Sequence, residues 1–506
     1  MDEGQIAGQA DIAALRFETN KRIEAIQNTQ NLTPTTSKVY YVSNSGSDTN
    51  DGTSESAPFE TIAKVNSVLG ASSEAVTVCF KRGDTWRGET LNARSNLTVT
   101  AYGTGDKPVL MASPENGANA DKWKQSDTTN IWYYEGSQDW SDVGNIIFND
   151  GESYAVKIVQ NRVGDNVYDY VNGNGQNIRF DSYKDLKNDL NFYHELNGYL
   201  YIYSLENPAT RFESIEFATD VKLINVDKSH GNANIVIDNI CFKYTGAHAV
   251  GASGDNDSPV KSFTVQNCEF YWIGGSIQYR IGNGREHDMR YGNAIEIYGA
   301  CDGFTATNNY IYQVYDAGIT VQYGWEGNNN SDIYDQKNVS FTNNVIENCN
   351  YSIEYFLTQI PEGNVSKISN FTISGNLMWN AGLGFCETRG YWDRGFSAHI
   401  KCQFTAPCNR AEEFYIKNNT MVGIRDQFLH IRTTFKDSLP EFSGNVFYGY
   451  YDSDGNATYA QGERIGEVRV TTESQKFVSY DNHTEEYLKE NLGTKYGEGN
   501  KYYFIF

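Results

Sequence analysis

Phe371-Thr372-Ile373-Ser374-Gly375-Asn376 is one copy of a short phrase that recurs between about residues 234 and 450. Each copy has a few alternating apolar residues that lead into an Asn. The other copies are Ile235-Val236-Ile237-Asp238-Asn239, Phe263-Thr264-Val265-Gln266-Asn267, Phe304-Thr305-Ala306-Thr307-Asn308-Asn309, Val339-Ser340-Phe341-Thr342-Asn343-Asn344, Phe414-Tyr415-Ile416-Lys417-Asn418-Asn419 and Phe442-Ser443-Gly444-Asn445. We take the recurring Asn to fall at 239, 267, 309, 344, 376, 419 and 445. This uneven repeat indicates a solenoid with insertions that leave the stack as loops.

The alternation at period two is typical of strands with one face turned inward and one outward. Asn tolerates left-handed backbone geometry, so it suits a bend that is repeated in every coil. Stacked coils place equivalent residues about 4.8 Å apart, which allows identical Asn side chains to form a ladder. The sequence therefore predicts an all-β fold, a right-handed parallel β-helix. The alternative is an antiparallel β-sandwich with Asn-rich turns.

The amino-acid composition indicates which classes of molecule the protein is suited to bind. The formal net charge of -23 argues against a nucleic acid or an anionic membrane as partner, because binding phosphates requires clustered Lys and Arg. The 36 Tyr and 8 Trp on an acidic protein suit neutral sugars, whose apolar faces stack on aromatic rings, although they also suit plain solubility. No apolar stretch is long enough for a membrane span. The first residues lack the basic and apolar pattern of a secretory signal.

Five regions are predicted along the chain. They are an N-terminal helix or attachment segment (1–34), a cap with the first coils (35–119), an inserted β-subdomain (120–230), the main β-helix (231–450) and a C-terminal cap (451–506). The helix over residues 4–30 suggests a coiled coil, a trimer above all, or docking to a larger assembly. The alternatives are a poorly ordered tail or a remnant of cloning. Pro58 is expected to open an amphipathic capping helix with Ile62, Val65 and Leu69 on one face.

The eight Cys show no metal-site spacing, and most are expected to be small buried residues. Cys402 and Cys408 flank a Pro-containing loop and could pair. No metal site is predicted. The Asp- and Asn-rich run 45–53 could bind calcium but fits a tight turn better.

Three further segments carry a resemblance to a known family. They are Tyr40-Tyr41-Val42-Ser43-Asn44-Ser45-Gly46-Ser47-Asp48-Thr49-Asn50-Asp51-Gly52-Thr53, Pro58-Phe59-Glu60-Thr61-Ile62 and Phe80-Lys81-Arg82-Gly83-Asp84-Thr85-Trp86-Arg87-Gly88. Together with the recurring Asn, they resemble the pectate-lyase-like right-handed β-helix superfamily over about residues 38–450. That superfamily includes polysaccharide hydrolases and lyases and phage tailspikes. The resemblance implies the fold but not the reaction, because members keep the scaffold and move their active sites.

Glycoside hydrolysis needs two carboxylates that face one cleft. Acids are expected on the outward face of the second strand of each coil, at Glu296 in Ala294-Ile295-Glu296-Ile297 and at Glu354 in Ser352-Ile353-Glu354-Tyr355. In Gly384-Phe385-Cys386-Glu387 the outward residue is Cys386, and Glu387 lies one residue further on, where the strand is expected to bend. If Ile295 and Ile353 point inward, Glu296 and Glu354 lie on one column, two coils and about 9–10 Å apart. The predicted catalytic set is Glu354 with Glu296 or Glu387, and Asp316 at a nearby bend in reserve.

Three long loops near these acids (281–292, 323–335 and 388–402) combine aromatic, basic and acidic residues, as sugar clefts do. The predicted substrate-binding residues from these loops and the adjoining strand are Trp325, Tyr323, Arg389, Trp392, Asp393, His399, Tyr355 and Arg290. Arg389 could instead pair with Glu387.

The sequence thus favours a homotrimeric phage tailspike that binds and hydrolyses a bacterial surface polysaccharide, attached to the tail or baseplate through its N-terminal helix. The alternatives are a glycan-binding spike without activity, and a secreted polysaccharide hydrolase or lyase. The expected location is the virion tail or the extracellular space.

Overall fold

The computed structural model describes residues 9–71, 73–172, 177–282, 284–323, 334–357, 366–390, 397–404, 410–433 and 440–450, and the short segments 478–479, 496–498 and 501–505. The described chain is nearly all β. Its α-helices are Gln9–Gln27, Ile62–Gly70 and Pro208–Arg211. Single 3-10 turns occur at Ala120–Lys122, Ser137–Asp139, Asn149–Gly151, Tyr183–Asp185, Lys228–His230 and Phe385–Thr388. No helix in the described part of the chain combines the length and the apolar character needed to cross a membrane.

The first sheet has eleven strands, and consecutive neighbours in it pair in parallel. It contains the repeated phrase, which supplies one strand in each coil. In order across the sheet, its strands are Lys38–Val42, Val76–Lys81, Leu97–Tyr102, Ala233–Asp238, Val260–Gln266, Cys301–Thr307, Gln336–Thr342, Lys367–Ser374, Arg410–Lys417, Glu441–Ser443 and Tyr496–Glu498.

Two further parallel sheets share the long strands Tyr310–Tyr323 and Val345–Leu357, which bend from one sheet into the other. Besides these two, the second sheet contains Thr85–Arg87, Val109–Met111, Cys241–Thr245, Glu269–Ile273, Leu377–Ala381, Thr420–Ile424, Val446–Tyr450 and Lys501–Ile505. The third contains Leu91–Ala93, Ile224–Val226, Val250–Gly254, Ile295–Gly299, Ala398–Phe404, Gln427–Thr433 and Val478–Ser479. The chain visits the three sheets in turn, which is compatible with the predicted β-helix.

A ladder of buried Asn side chains lies at the bend between the first and second sheets. In every member after the first, Oδ1 accepts hydrogen bonds from the backbone N–H and the Nδ2 of the Asn in the preceding coil, at 2.9–3.1 Å. We call these residues the Asn ladder; they are Asn309, Asn344, Asn376, Asn419 and Asn445.

The sequence placed two ladder positions one residue too early. The pairing of Gln266 with Thr307 aligns Cys268 with Asn309, and the backbone N–H of Cys268 donates to Asn309 Oδ1. Asn239 and Asn267 instead adopt positive φ, as Asn308 does. They occupy the left-handed position immediately before the ladder, which Gly375 and Gly444 fill in later coils.

The helix Ile62–Gly70 buries Ile62, Val65 and Leu69 against the main core, as a capping helix would. It begins after Thr61, whose side chain accepts from the N–H of Lys64, rather than at Pro58. The carboxylate of Asp48 accepts from the backbone N–H groups of Glu60 and Thr61, so the 45–53 run is a turn that fastens this helix.

The N-terminal helix Gln9–Gln27 packs on its own chain, at the edge of the second sheet. Arg16 lies 2.5 Å from Glu347 and covers the Trp379 ring at 3.7 Å. Arg22 donates to the carbonyl of Gly375, and Ile26 is buried beside Tyr310. A helix that is marginal alone is therefore stabilised here by contacts within the chain.

The region between the first coils and the main stack forms a five-stranded sheet in the order Val156–Lys157, Asn191–His194, Leu200–Tyr203, Ile131–Tyr134, Trp123–Gln125. Strands Val143–Phe148, Ser153–Tyr154 and Ile215–Thr219 pair antiparallel beside it, and Gln160–Val163 forms a hairpin with Asn166–Asp169. The sheet lies within the region 120–230, where an inserted β-subdomain was expected. The remaining hairpin, Ser276–Tyr279 with Met289–Tyr291, leaves the stack between the second and third sheets.

Candidate functional site

A cleft of about 300 Å³ opens on the outward face of the third sheet. Its floor comes from neighbouring strands of that sheet, and its walls come from the hairpin Ser276–Tyr279/Met289–Tyr291 and from Arg389. The lining residues used below are His248, Tyr279, Arg290, Asn293, Glu296, Tyr298, Asp316, Gln322, Glu354, Arg389 and Lys401. This volume is at the lower end of the usual range for small-molecule sites, about 300–1,000 Å³.

Strand register explains why the acids meet. Glu296 pairs with Thr320, Thr320 with Glu354, and Glu354 with Lys401. Ile295, Ile319, Ile353 and Ile400 lie one residue earlier and are fully buried, so the paired residues all project outward. Glu296 and Glu354 are therefore two strands apart on one column, about 9–10 Å between Cα atoms. We call Glu296, Thr320, Glu354 and Lys401 the cleft column.

Glu354 is held in a buried ion pair. Its Oε1 lies 2.5 Å from Lys401 Nζ, and the Lys401 ammonium stands 4.3 Å from the centre of the Tyr351 ring. Burial raises the pKa of Glu354 above its ordinary value, and the charge of Asp316 adds to this, while Lys401 opposes it. Burial disfavours the charge on Lys401, but Glu354 and the other neighbours outweigh it and the pKa of Lys401 rises. The surplus of acids thus favours proton retention on both groups.

Glu296 is held by amides. Its Oε2 accepts from Asn293 Nδ2 at 2.5 Å and from Gln322 Nε2 at 2.8 Å. Its Oε1 lies 3.3 Å from His248 Nε2. Hydrogen bonds from neutral donors favour the ionised form of a carboxylate. Glu296 and Glu354 therefore have contrasting environments, one rich in neutral donors and the other dominated by a charged pair.

Asp316 reaches the cleft from the bend between the second and third sheets, as the sequence predicted. Its Oδ1 lies 3.2 Å from Arg389 Nη1, which also donates to the carbonyl of Tyr315 at 2.7 Å. Arg389 thus pairs with Asp316 in the cleft, whereas Glu387 was the partner that the sequence offered.

Arg290 lines the cleft but is committed to backbone groups. Its guanidinium donates to the carbonyls of Gly275, Thr388 and Gly144 and lies 4.2 Å from the centre of the Tyr315 ring. It is buried and joins the cleft walls, and its contact with substrate stays a prediction.

Two exposed tyrosines stand at the cleft. Tyr279 is 44% exposed and Tyr298 39%, although most large apolar side chains of the described chain are buried. Arg285 covers the Tyr279 ring at 4.0 Å. Tyr323, predicted to contact substrate, is buried and packs against Tyr298 from inside the stack. Tyr298 therefore presents the aromatic surface that the sequence assigned to Tyr323.

Three other predictions fail because the third sheet takes a different segment. Residues 384–387 were expected to form its strand, but Phe385–Thr388 is a 3-10 turn and the strand is Ala398–Phe404. Cys386 is buried rather than outward. Glu387 is not among the cleft residues; its carboxylate accepts from the N–H of Gly384 and caps the turn.

Two other predicted substrate-binding residues, His399 and Tyr355, are not among the residues that line the cleft. Both are buried within the stack. His399 Nε2 lies 2.8 Å from the carbonyl of Gly423, and burial lowers its pKa to about 3. Tyr355 packs against Phe371 and Phe414, and burial raises its pKa well above the ordinary value.

Of the remaining predicted residues, Trp325, Trp392 and Asp393 lie outside the described residues, as does Cys408; Cys402 is a buried free thiol.

The sequence reasoning missed Lys401 and His248. The signal was available, because a small residue followed by a branched apolar one recurs in Ala249-Val250, Ala294-Ile295, Gly318-Ile319 and Ser352-Ile353. Aligning His399-Ile400 with these pairs places Lys401 on the cleft column. His248 lies two residues before Val250, level with Asn293 in the next coil.

The hairpin wall is anchored through a buried carboxylate. Asp142 Oδ2 accepts from the N–H of Ile277 at 2.7 Å and lies 2.5 Å from Lys157 Nζ. Burial opposes its charge, but Lys157 and the other neighbouring cations outweigh this and lower the pKa of Asp142. The cleft wall is thus tied to the five-stranded sheet.

Among the described residues, no three His, Cys, Asp or Glu side chains are grouped to hold a metal ion.

No protein-family model matches the chain. A 118-residue segment is 33% identical to a lacto-N-biosidase of Bifidobacterium longum subsp. longum, a match that covers 21% of this chain and 7% of that protein. The activity of the whole relative is therefore not shown for this chain.

Two solved structures are similar over most of the chain. One described as a glycoside hydrolase is covered to 96% and covers 93% of this chain, with 11% identity and a TM-score of 0.49. A family 28 exopolygalacturonase of Yersinia enterocolitica is covered to 64% and covers 81% of this chain, with 11% identity and a TM-score of 0.38. Both scores are below 0.5, so no reaction follows from them. The proteins named here include no phage tailspike.

Proposed function

We propose that the chain is a glycoside hydrolase that cleaves an oligosaccharide or polysaccharide in the cleft on the third sheet. The scaffold that we propose is a right-handed parallel β-helix. The observation that carries the proposal is the meeting of Glu296, Asp316 and Glu354 in one cleft whose edge presents exposed tyrosines. Paired carboxylates beside aromatic surfaces are what glycoside hydrolysis uses.

Glu354 is the proton donor in this proposal. A general acid must hold its proton near the working pH, and burial together with Asp316 raises the pKa of Glu354. Lys401 limits this shift and fixes the position of the carboxyl group through the 2.5 Å contact. The proton passes from Glu354 to the glycosidic oxygen as the bond to the leaving sugar breaks.

Glu296 is the second carboxylate, which takes a proton from the attacking water. Its two amide donors hold the carboxylate in place. The two-strand separation between Glu296 and Glu354 is close to the upper end of the range of about 6.5–9.5 Å between the carboxyl groups of inverting enzymes. An inverting mechanism is therefore the first expectation.

The lacto-N-biosidase match supports glycoside hydrolysis as the class of reaction. Elimination is the second candidate, since Lys401 and Arg389 are cations in the same cleft. A lyase needs a cation to neutralise a substrate carboxylate, but these two already contact Glu354 and Asp316. Hydrolysis is therefore preferred.

Incubation with bacterial capsular, cell-wall, plant and host glycans tests the proposal. The measurements are reducing ends and the ultraviolet absorbance of unsaturated products. New reducing ends without absorbance are expected. Reducing ends with absorbance would assign the elimination, and binding without cleavage across the whole set would replace the enzyme with a glycan-binding protein.

The tailspike role, the homotrimer and attachment to a phage tail through the first helix remain proposals. The location, a virion tail or the extracellular space, remains one as well. Light scattering on the full chain checks the trimer. The proposal requires three times the chain mass of 56.9 kDa, and the mass of a single chain would contradict it.

A further inference from the structure

His248 lies beside the proposed second carboxylate, yet the roles given above do not use it. It is 6% exposed and lines the cleft at the end of the third sheet, one coil before Asn293. Its ring stands edge-on to Tyr291, at 5.0 Å between centroids. Burying an imidazole costs free energy unless its ring nitrogens have hydrogen-bond partners. The partners of the His248 ring therefore define what it can do.

The backbone fixes the protonation state of the ring. The N–H of Asn293 donates to His248 Nδ1 at 3.0 Å, so Nδ1 must be the unprotonated nitrogen. The proton of the neutral ring then resides on Nε2. That nitrogen lies 3.3 Å from Glu296 Oε1. The backbone N–H of Asn293 thus selects the tautomer in which the Nε2–H of His248 points toward Glu296.

The two oxygens of Glu296 are not equivalent. Oε2 accepts from both Asn293 Nδ2 and Gln322 Nε2. The Asn293 amide is itself oriented, because its Oδ1 accepts from the N–H of Ala317 at 2.8 Å. With Oε2 committed to two amides, Oε1 is the oxygen suited to water or sugar, and His248 is the group beside it.

We propose that His248 is a positioning residue that, as a neutral imidazole, aims Glu296 Oε1 at the reacting water. This rests on the proposed function. The ring takes no proton from substrate. It holds the carboxylate oxygen in one direction, and its own direction is set by the backbone of Asn293.

A second proton on His248 would break this arrangement, since protonated Nδ1 can no longer accept from Asn293. The groups whose charges act on the ring are Glu296, Lys222, Asp316 and Asp220, and the hydroxyl of Tyr291 donates to Asp220. Burial lowers the pKa of His248, Lys222 adds to this, and the acids oppose it. The lowered pKa favours the neutral ring, and the aim of Glu296 is lost when acid protonates His248.

The test compares H248A and H248Q with the full-length wild type, with H230Q as a matched control. His230 is exposed and outside the cleft. For H248A, kcat should fall by at least about tenfold with KM changed less than about twofold, because misaimed groups lose rate rather than binding. The part of the acid limb that arises from protonation of the His248 ring should be absent from its pH–rate profile. H248Q, which keeps a terminal N–H, should recover part of kcat.

A 15N spectrum of the histidine rings provides a readout independent of activity. The His248 signals, identified as those absent from H248Q, should show Nδ1 as a proton-free acceptor and Nε2 as protonated. The opposite tautomer would overturn the proposal, as would an H248A profile that matches wild type. Wild-type protein that cleaves no glycan would overturn the proposed function and this role with it, whereas active wild type with an unaffected H248A overturns this role alone.

Discussion

The Asn ladder and the cleft column both stack polar side chains at successive coils, but they differ in chemistry. In the ladder, the same residue recurs and each side chain bonds the next, so the polar groups are satisfied within the column. In the cleft column, the residue type changes at every level, from Glu296 through Thr320 to Glu354 and Lys401.

This difference distinguishes the Asn ladder, which stabilises the fold, from the cleft column, to which we assign the proposed chemistry. A column of identical amides stabilises a repeated bend, and any coil can supply the next member. A column of unlike groups cannot be explained by repetition, because amides hold Glu296 whereas Lys401 holds Glu354. The varied polar residues on the outward face of the third sheet are therefore where we propose that the reaction takes place.

The largest expected effect is on the cleft column. We expect E354Q to lower kcat by about 10²–10⁴-fold, because the amide cannot donate the proton that an acid supplies. Its melting temperature should fall as well, because the buried Lys401 loses its charged partner, so rates are compared at a temperature where both proteins are folded. Steady-state cleavage rates and calorimetry measure both. T320S, a conservative change on the same column, is the control, and equal activity of E354Q and T320S would remove Glu354 from the mechanism.

The ladder should respond in stability rather than in rate. N376A removes the acceptor of two Asn344 groups and the donor to Phe341 and Asn419, all of them buried. Unfolding in denaturant should show a loss of about 3 kcal/mol or more, since several buried polar groups lose their partners. N308G is the control. Its exposed left-handed position accepts Gly, as at Gly375, so little change is expected.

His399 gives an effect that depends on pH. Its folded pKa, about 3, lies below the ordinary value of 6.5, so between these values the unfolded chain binds a proton that the folded chain does not. The free energy of unfolding should thus fall as pH drops from 6.5 toward 3, by about 1.4 kcal/mol per pH unit from this group. Comparing the slopes of wild type and H399N measures the contribution. Identical slopes would contradict a buried neutral ring.

The smallest effect is expected at Glu387. E387Q should retain wild-type cleavage, because Glu387 caps a turn and is absent from the cleft residues. Its stability should change by less than about 1 kcal/mol, the typical value of one cap. A loss of activity comparable to that of E354Q would return Glu387 to the catalytic pair.

The sequence was informative where the chain repeats itself and less so where it does not. Alternation and the recurring Asn predicted long parallel strands, and counting outward from Ile295 and Ile353 brought Glu296 and Glu354 to one face. The error at Glu387 arose because residues 382–397 lie between the second-sheet strand that ends at Ala381 and the third-sheet strand that begins at Ala398. A fixed spacing therefore selected the wrong segment. That one misalignment left Lys401 out of the predicted site and placed His399 in it. Arg290 donates mainly to backbone carbonyls and His248 accepts from the backbone N–H of Asn293, and side-chain patterns do not reveal such contacts.

A crystal structure of E354Q with an oligosaccharide substrate tests the central claim most directly. We predict that the scissile glycosidic oxygen lies within hydrogen-bond distance of the side chain at position 354. A water molecule or the anomeric carbon should face Glu296 Oε1, and a sugar ring should stack on Tyr279 or Tyr298. A sugar bound elsewhere on the protein, with the cleft column untouched, would contradict the assignment of chemistry to this face.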